Sequence, residues 1–264
     1  MCLMLVAWRA SSTYRLVVAA NRDEVYWRPT EPLHVWDEPA RIIAGRDKPS
    51  HGTWLGVTGR GRFAATTNVR RGLPKSSGAV RSRGNLPVDF LASSDTPEAH
   101  SSRLLADGDQ YAGFNVLLGD PESFWWASNI RNNASPLSDG IHGISNAALD
   151  TPWPKVIEGK RAFETVIDAD DGGSESVEAY FDILRNHDLA PRKMLPNTGV
   201  GGFLEHRLSA RFVRLGFYGT RSSTVLRMRP DNSFEITERR FGLFREIGRT
   251  RYTESGTRRQ LEQL

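Results

Sequence analysis

Cys2 is the only cysteine among the 264 residues and directly follows the initiator methionine. A residue this small permits removal of Met1, which would leave a thiol and a free α-amine on one residue. Their ordinary pKa values, about 8.5 and about 7.7–8.0, are close enough for the amine to take the thiol proton. The chemistry is that of an N-terminal nucleophile, in which a thiolate attacks a carbonyl and the same residue carries the base. The structural alternative is a small apolar residue opening a first strand, since free cysteine is usually buried and inert.

The second chemical signal is Asn21-Arg22-Asp23-Glu24, at the end of an apolar stretch. If residues 3–8 and 14–20 pair as a hairpin, this tetrapeptide emerges beside the chain's N-terminus. Arg22 then stands where it can stabilise a thiolate, and Asp23 where it can hold an α-ammonium. In isolation such a tetrapeptide reads as a solvated turn, so its predicted location carries the argument. Asn68 and Asn146 each follow a strand-like run and are candidates for an oxyanion site. An amide N–H aimed at a developing oxyanion contributes about 3–4 kcal/mol to the transition state, although asparagine is also a common turn residue at strand ends. Arg221, entering the last predicted hairpin, is a further candidate, with a structural arginine bonded to a backbone carbonyl as the alternative. Arg46-Asp47 is equally ambiguous. Trp54, Trp125, Trp126 and Trp153 suit either a core or a cleft. Among the six histidines no pair has metal-ligand spacing, and a Cys-His enzyme through His51 or His142 has no local signature. No P-loop or dinucleotide fingerprint is present.

These residues must be positioned by a β-rich first third. Runs 3–8 and 14–20, joined by Ala10-Ser11-Ser12-Thr13, predict a hairpin, and 41–44, 53–58 and 62–67 predict further strands, the last two joined by Gly59-Arg60-Gly61. Residues 73–84 form a loop, and the pattern becomes helical over 85–106, with Thr96 as a cap and Pro97 at a first helical position. Strands resume at 113–118, 123–128 and 140–144. Helices are expected over 152–167 and 174–185, with Ser174 or Ser176 capping the second. An irregular connection over 187–202 leads to a final hairpin, 223–228 and 234–240, turning at Pro230-Asp231-Asn232-Ser233. The grouping of strands and helices predicts one α+β domain over 1–264, with the polar tail 250–264 fraying.

The net formal charge of +4 comes with two basic stretches, one holding Arg70, Arg71, Lys75, Arg81 and Arg83 and one running from Arg239 to Arg259. Neither has interleaved aromatics or a helix-turn-helix pattern, so they predict solvated faces or an anion-attracting loop rather than nucleic-acid binding. One cysteine excludes an internal disulfide and fits a reducing, cytoplasmic location. The apolar run 3–7 is too short for a signal-peptide core or a membrane span.

Cys2, Asn21-Arg22-Asp23-Glu24, Gly52-Thr53-Trp54-Leu55-Gly56-Val57, Thr67-Asn68, Ser145-Asn146, Thr151-Pro152-Trp153-Pro154-Lys155 and Tyr218-Gly219-Thr220-Arg221-Ser222-Ser223-Thr224 occur in this order. Together they resemble the NRDE family, also called the transport-and-Golgi-organisation-two family. That family resembles N-terminal nucleophile hydrolases of the penicillin V acylase and bile salt hydrolase branch. The resemblance implies a four-layer αββα sandwich with the nucleophile at one end of the sheets. It implies Cys2 as nucleophile, exposed by processing, with Arg22 and Asp23 beside it. It implies Asn68 in the oxyanion hole and Asn146 near the α-amine. For the late arginine, Arg221 lies in the family's own motif while Arg211 resembles the acylase position. The implied reaction is cleavage of a non-peptide amide in a small molecule, with no metal or organic cofactor. Eukaryotic relatives are associated with secretory-pathway organisation and haem handling. The resemblance therefore also implies a second class, a carrier for haem, with Cys2 or a histidine as axial ligand, or for an acylated metabolite.

Overall fold

The computed structural model describes residues 2–37, 40–72, 80–243, 245–256 and 258–264, with Cys2 and Ser174 described by their backbone alone. The fate of Met1, the position of Lys75 and capping by the Ser174 side chain lie outside the described residues.

The described residues form two antiparallel sheets. The first takes the order β10-β1-β2-β12-β13-β14-β15, with β11 alongside β12. Its members are β1 (Cys2–Trp8), β2 (Leu16–Val25), β10 (Gly140–Ile144), β11 (Arg214–Leu215), β12 (Tyr218–Met228), β13 (Phe234–Phe241), β14 (Glu246–Ser255) and β15 (Arg258–Gln263). The second runs β3 (Thr30–Val35), β4 (Ile42–Asp47), β5 (Leu55–Thr58), β6 (Phe63–Asn68), β7 (Phe114–Gly119), β8 (Phe124–Ser128) and β9 (Asn133–Pro136) in sequence order. The helices are α1 (Asn85–Ala92), α2 (Pro97–Ala106), α3 (Pro154–Ala169), α4 (Ser174–Arg185) and α5 (Gly202–Arg207).

Side-chain alternation along the strands builds the layers. On β1 and β2, Met4, Val6, Leu16 and Val18 meet Ile43, Val57, Phe63 and Leu117 of the second sheet in the central core. The intervening Leu3, Leu5, Val17 and Ala19 face Val156, Phe163, Tyr180 and Leu184 of α3 and α4. On the second sheet the outer residues Ile42, Ala44, Val116 and Leu118 are covered by Leu86, Phe90 and Leu104 of α1 and α2. The result is a four-layer αββα sandwich, as the resemblance implied.

The first hairpin forms as expected, and Thr96 Oγ1 accepts from the Ala99 N–H (3.2 Å) to cap α2 behind Pro97. Three expectations need correction. β2 continues to Val25 because its polar end is satisfied inside: Ser223 Oγ donates to Asn21 Oδ1 (2.6 Å), and Asn21 Nδ2 donates to the carbonyls of Leu184 and Arg211. The tail is ordered as β14 and β15, since alternation buries Thr250, Tyr252 and Glu254 while Arg249 and Arg251 pair with Glu178 and Glu235. Gly173, not a serine, is the N-cap of α4, and Ser176 Oγ donates instead to Asp171 (2.7 Å). Within the helical stretch 85–106, α1 ends where Ser93 turns back onto the Phe90 carbonyl, ahead of the expected start at Thr96 and Pro97. Strands β3 and β9 and helix α5 were not anticipated; β3 and β9 carry Pro32 and Pro136 at sheet edges, where a missing N–H is tolerated.

Candidate functional site

Cys2 is the register partner of Arg22 across the β1–β2 ladder. On the other side of β1, the ladder with β10 ends at Met4 opposite Ile144. Beyond that end the chain leaves the ladder in a bend, where Asn146 turns to Asn68 and Arg70. The position of the Cys2 thiol is outside the described atoms.

Alternation along β2 sends Arg22 to the inter-sheet side, in step with Val18 and Ala20. There its guanidinium stacks on Trp54, 4.3 Å from the ring centroid, and Nη2 donates to Asp47 Oδ2 (3.1 Å). Asp47 closes β4 and also accepts from Arg28 Nη2 (2.9 Å) and Ser50 Oγ (2.8 Å). Burial raises the Asp47 carboxyl, but the hydrogen bonds from Arg28 and Ser50 outweigh it and hold the group below the usual carboxylate range. Glu24 stands 3.9 Å from both guanidiniums. Arg22 is thus buried, charged and clamped in one orientation.

Asp23 takes the opposite parity and points to the helix side, fully buried. Burial pushes its carboxyl up, opposed by the positive charge of buried Lys155 and by Thr220 Oγ1, which donates to Asp23 Oδ1 (2.7 Å). Lys155, in the first turn of α3, also donates to the Leu208 carbonyl (3.1 Å).

Asn68 and Asn146 meet at a seam between the two sheets. Asn146 Nδ2 donates to the Asn68 carbonyl (2.9 Å), and the Arg70 N–H donates to the Asn146 carbonyl (2.8 Å). Thr67 Oγ1 donates to the Ser145 carbonyl, and Asn115 Nδ2 to that of Ala147, each at 2.8 Å. One of the amide hydrogens offered to an oxyanion at Asn146 is therefore committed to holding the end of β6.

Arg221 is the extra residue of a β-bulge, falling between the pairs Thr220–Asp23 and Ser222–Arg22. Its Nη1 donates to the carbonyls of Val25 (2.8 Å) and Arg28 (3.2 Å), bracing the turn that carries Arg28. Arg211 offers its backbone carbonyl to Asn21. Neither arginine lines the cavity beside Arg22.

That cavity, about 420 Å³, is walled by Arg22, Glu24, Asp47, Trp54, Asn68 and Arg83, among others. Its rim depends on contact between two backbones: the Thr53 N–H donates to the Gly84 carbonyl (2.9 Å), and a Cβ on Gly52 would sit 2.4 Å from that carbonyl. Of the basic stretch, Arg81 and Arg83 reach the wall, Arg81 while paired with Asp89 (2.9 Å). Arg70, expected to be solvated, is instead buried against Glu205 (2.9 Å), and Arg239 is buried against Glu178. His51 is exposed. His142 is held by Asp150 and the Ser138 carbonyl, away from the cavity wall. Asp47, Trp54, Lys155 and Thr220 were not assigned roles from the sequence, although the last three lie within the quoted motifs. Among the described residues no helix is long and apolar enough to cross a membrane.

The family described as Transport and Golgi organisation 2 matches residues 1–242. The human Transport and Golgi organization protein 2 homolog is 31% identical over 245 residues, covering 87% of this chain and 88% of that protein. The Drosophila melanogaster Transport and Golgi organization protein 2 is 29% identical over 252 residues, covering 85% and 86%. Among solved structures, the Caenorhabditis elegans N-acylethanolamine-hydrolyzing acid amidase ortholog aligns with a TM-score of 0.49 at 13% identity, covering 87% of this chain and 93% of that one. The mutant C2A conjugated bile acid hydrolase from Clostridium perfringens aligns with a TM-score of 0.47 at 8% identity, covering 100% and 92%.

Proposed function

This chain belongs to the transport and Golgi organisation 2 family, and from that premise we propose that it is an N-terminal cysteine amidohydrolase acting on a small-molecule amide. The observation that supports the reading best is the register that pairs Cys2 with Arg22, whose side chain walls a cavity together with Asn68. With Met1 removed, the α-amine of Cys2 takes the thiol proton and the thiolate attacks the amide carbonyl. Arg22 favours the thiolate by its positive charge. The Asn68 amide and a backbone N–H receive the oxyanion, while Asn146 holds the end of β6 in place. As the C–N bond breaks, the ammonium returns its proton to the departing amine, and water then hydrolyses the thioester. Asp23, buried with Lys155 and Thr220, steadies the ammonium from the helix side. Arg221 braces the turn carrying Arg28. The guanidiniums of Arg28, Arg81 and Arg83 suit a substrate bearing a carboxylate.

Intact-mass spectrometry before and after brief iodoacetamide treatment at neutral pH tests this. The expected result is a chain lacking Met1 that alkylates once and rapidly, and a Cys2→Ala variant that folds but neither alkylates nor turns over amides. A chain that keeps Met1, or a thiol no faster than free cysteine, refutes the hydrolase and favours a carrier. A haem titration followed by absorbance would then identify or exclude that ligand.

A further inference from the structure

The first sheet ends at β15, whose outer edge has no partner strand among the described residues. Both β14 and β15 lie beyond residue 242, outside the segment matched by the family. Arg258, Arg259, Gln260, Leu261 and Gln263 are exposed along this edge, with Glu262 half-buried. Leu264 and Arg249 exchange both backbone N–H···O bonds, at 2.9 and 3.3 Å. By antiparallel alternation, Gln260 and Glu262 then direct their backbone groups to β14, and Arg259, Leu261 and Gln263 turn theirs outward. An outward row of this kind is a template for another strand, and charged side chains normally guard it.

Here the charges fit a copy of the same strand. A two-fold axis normal to a sheet preserves its faces, so residues opposite one another across the axis must share parity. Placing Gln260 opposite Gln260 of the second copy meets that condition. It sets Arg258 opposite Glu262 of the second copy on both sides of the axis, all on the face turned toward α3 and α4. It also sets Arg259 opposite Leu261 of the second copy, so the outward backbone groups of both residues find partners. Within one copy, among the described residues, Arg258 has no ion pair and Glu262 has a single side-chain partner, Gln260 Nε2. A foreign strand would have to supply both signs at the same spacing. We infer that β15 is a self-complementary dimerisation edge, through which two copies join their first sheets into one continuous antiparallel sheet. Three strands separate β15 from β2, so the cavity beside Arg22 stays open in such a dimer.

The test is sedimentation velocity over a concentration series from about 1 to 200 μM at low salt, with circular dichroism confirming each fold. The wild type is expected to shift from monomer to dimer with concentration and to dissociate as salt screens the Arg258–Glu262 pairs. Arg258→Glu and Glu262→Arg each place like charges opposite one another and should weaken dimerisation at least tenfold. Combining the two restores opposite charges and should restore the dimer. A wild type that stays monomeric throughout overturns the inference. So does a dimer that the single reversals leave intact, or a double reversal that behaves like the singles.

Discussion

Arg22 is the residue on which the proposed chemistry turns. Its guanidinium is fixed by the Trp54 ring on one side and by the Asp47 carboxylate on the other, while its backbone pairs with Cys2. An opposite charge within about 4–6 Å lowers a thiol pKa by about one to three units. Arg22→Gln should therefore raise the midpoint of the alkylation-rate profile against pH by that amount, with the helical and strand content unchanged. Arg22→Lys keeps the charge but loses the planar fork and the stacking, so its midpoint should fall between the two. An unchanged midpoint in Arg22→Gln would show that the thiol does not feel this charge. The tetrapeptide was legible in the sequence because it sits where a local hairpin delivers it. Asp47 was not, because the pairing with Arg22 requires two sheets to stack. The bulge that re-aims Arg221 was hidden for a similar reason, since it exists only in the ladder between β2 and β12.

At the scale of elements, the loop carrying Asn146 is tied down where β10 meets α3. Asp150 accepts from His142 Nδ1 and from Lys160 Nζ, each at 2.7 Å, and from the Gly143 N–H at 2.9 Å. His142 Nε2 faces the Ser138 carbonyl at 3.0 Å. Both ring nitrogens therefore meet acceptors, an arrangement only the imidazolium satisfies. The hydrogen bond with Asp150, opposed by burial, raises the His142 pKa above its ordinary value. A raised folded value means that the stabilisation is complete below about 6.5 and is lost as pH rises through the folded value. The difference in melting temperature between the wild type and His142→Gln should accordingly shrink from pH 6 to pH 9. A difference constant over that range would mean that the ring is held neutral. Asp150 shows the opposite sign at the acid end. Burial raises it, but the bonds from His142 and Lys160 prevail and bring its pKa to about 2. Its contribution is present above the ordinary carboxylate value and lost as pH falls toward 2. Helix and hairpin periods made β1, β2, β10, α3 and α4 visible in sequence. The tail was misread because polar composition masked an alternation that only the neighbouring β13 rewards.

The whole molecule depends on how its two sheets are joined, and one group between them makes that junction sensitive to pH. Glu238 on β13 points inward with Phe234 and Ile236 and is fully buried. Its Oε1 accepts from the backbone N–H of Leu33 on β3 (2.9 Å), a direct bond from the first sheet to the second. Burial pushes its pKa up to about 7, against the Leu33 N–H and the positive charges of Arg240 and Arg22. An unfolded glutamate titrates near 4.3, so below that pH both states are protonated and the junction has its full stability. Between about 4.3 and 7 the unfolded chain releases the proton while the folded chain keeps it, and stability falls by an amount on the order of 3 kcal/mol. Glu238→Gln preserves the acceptor for Leu33 and removes the ionisation. Urea midpoints should then be similar for the two proteins near pH 4.5, whereas at pH 8 the variant should be the more stable by about that energy. If the substitution shifts the midpoint equally at both pH values, the carboxyl does not titrate in this range, and the junction is held by packing alone.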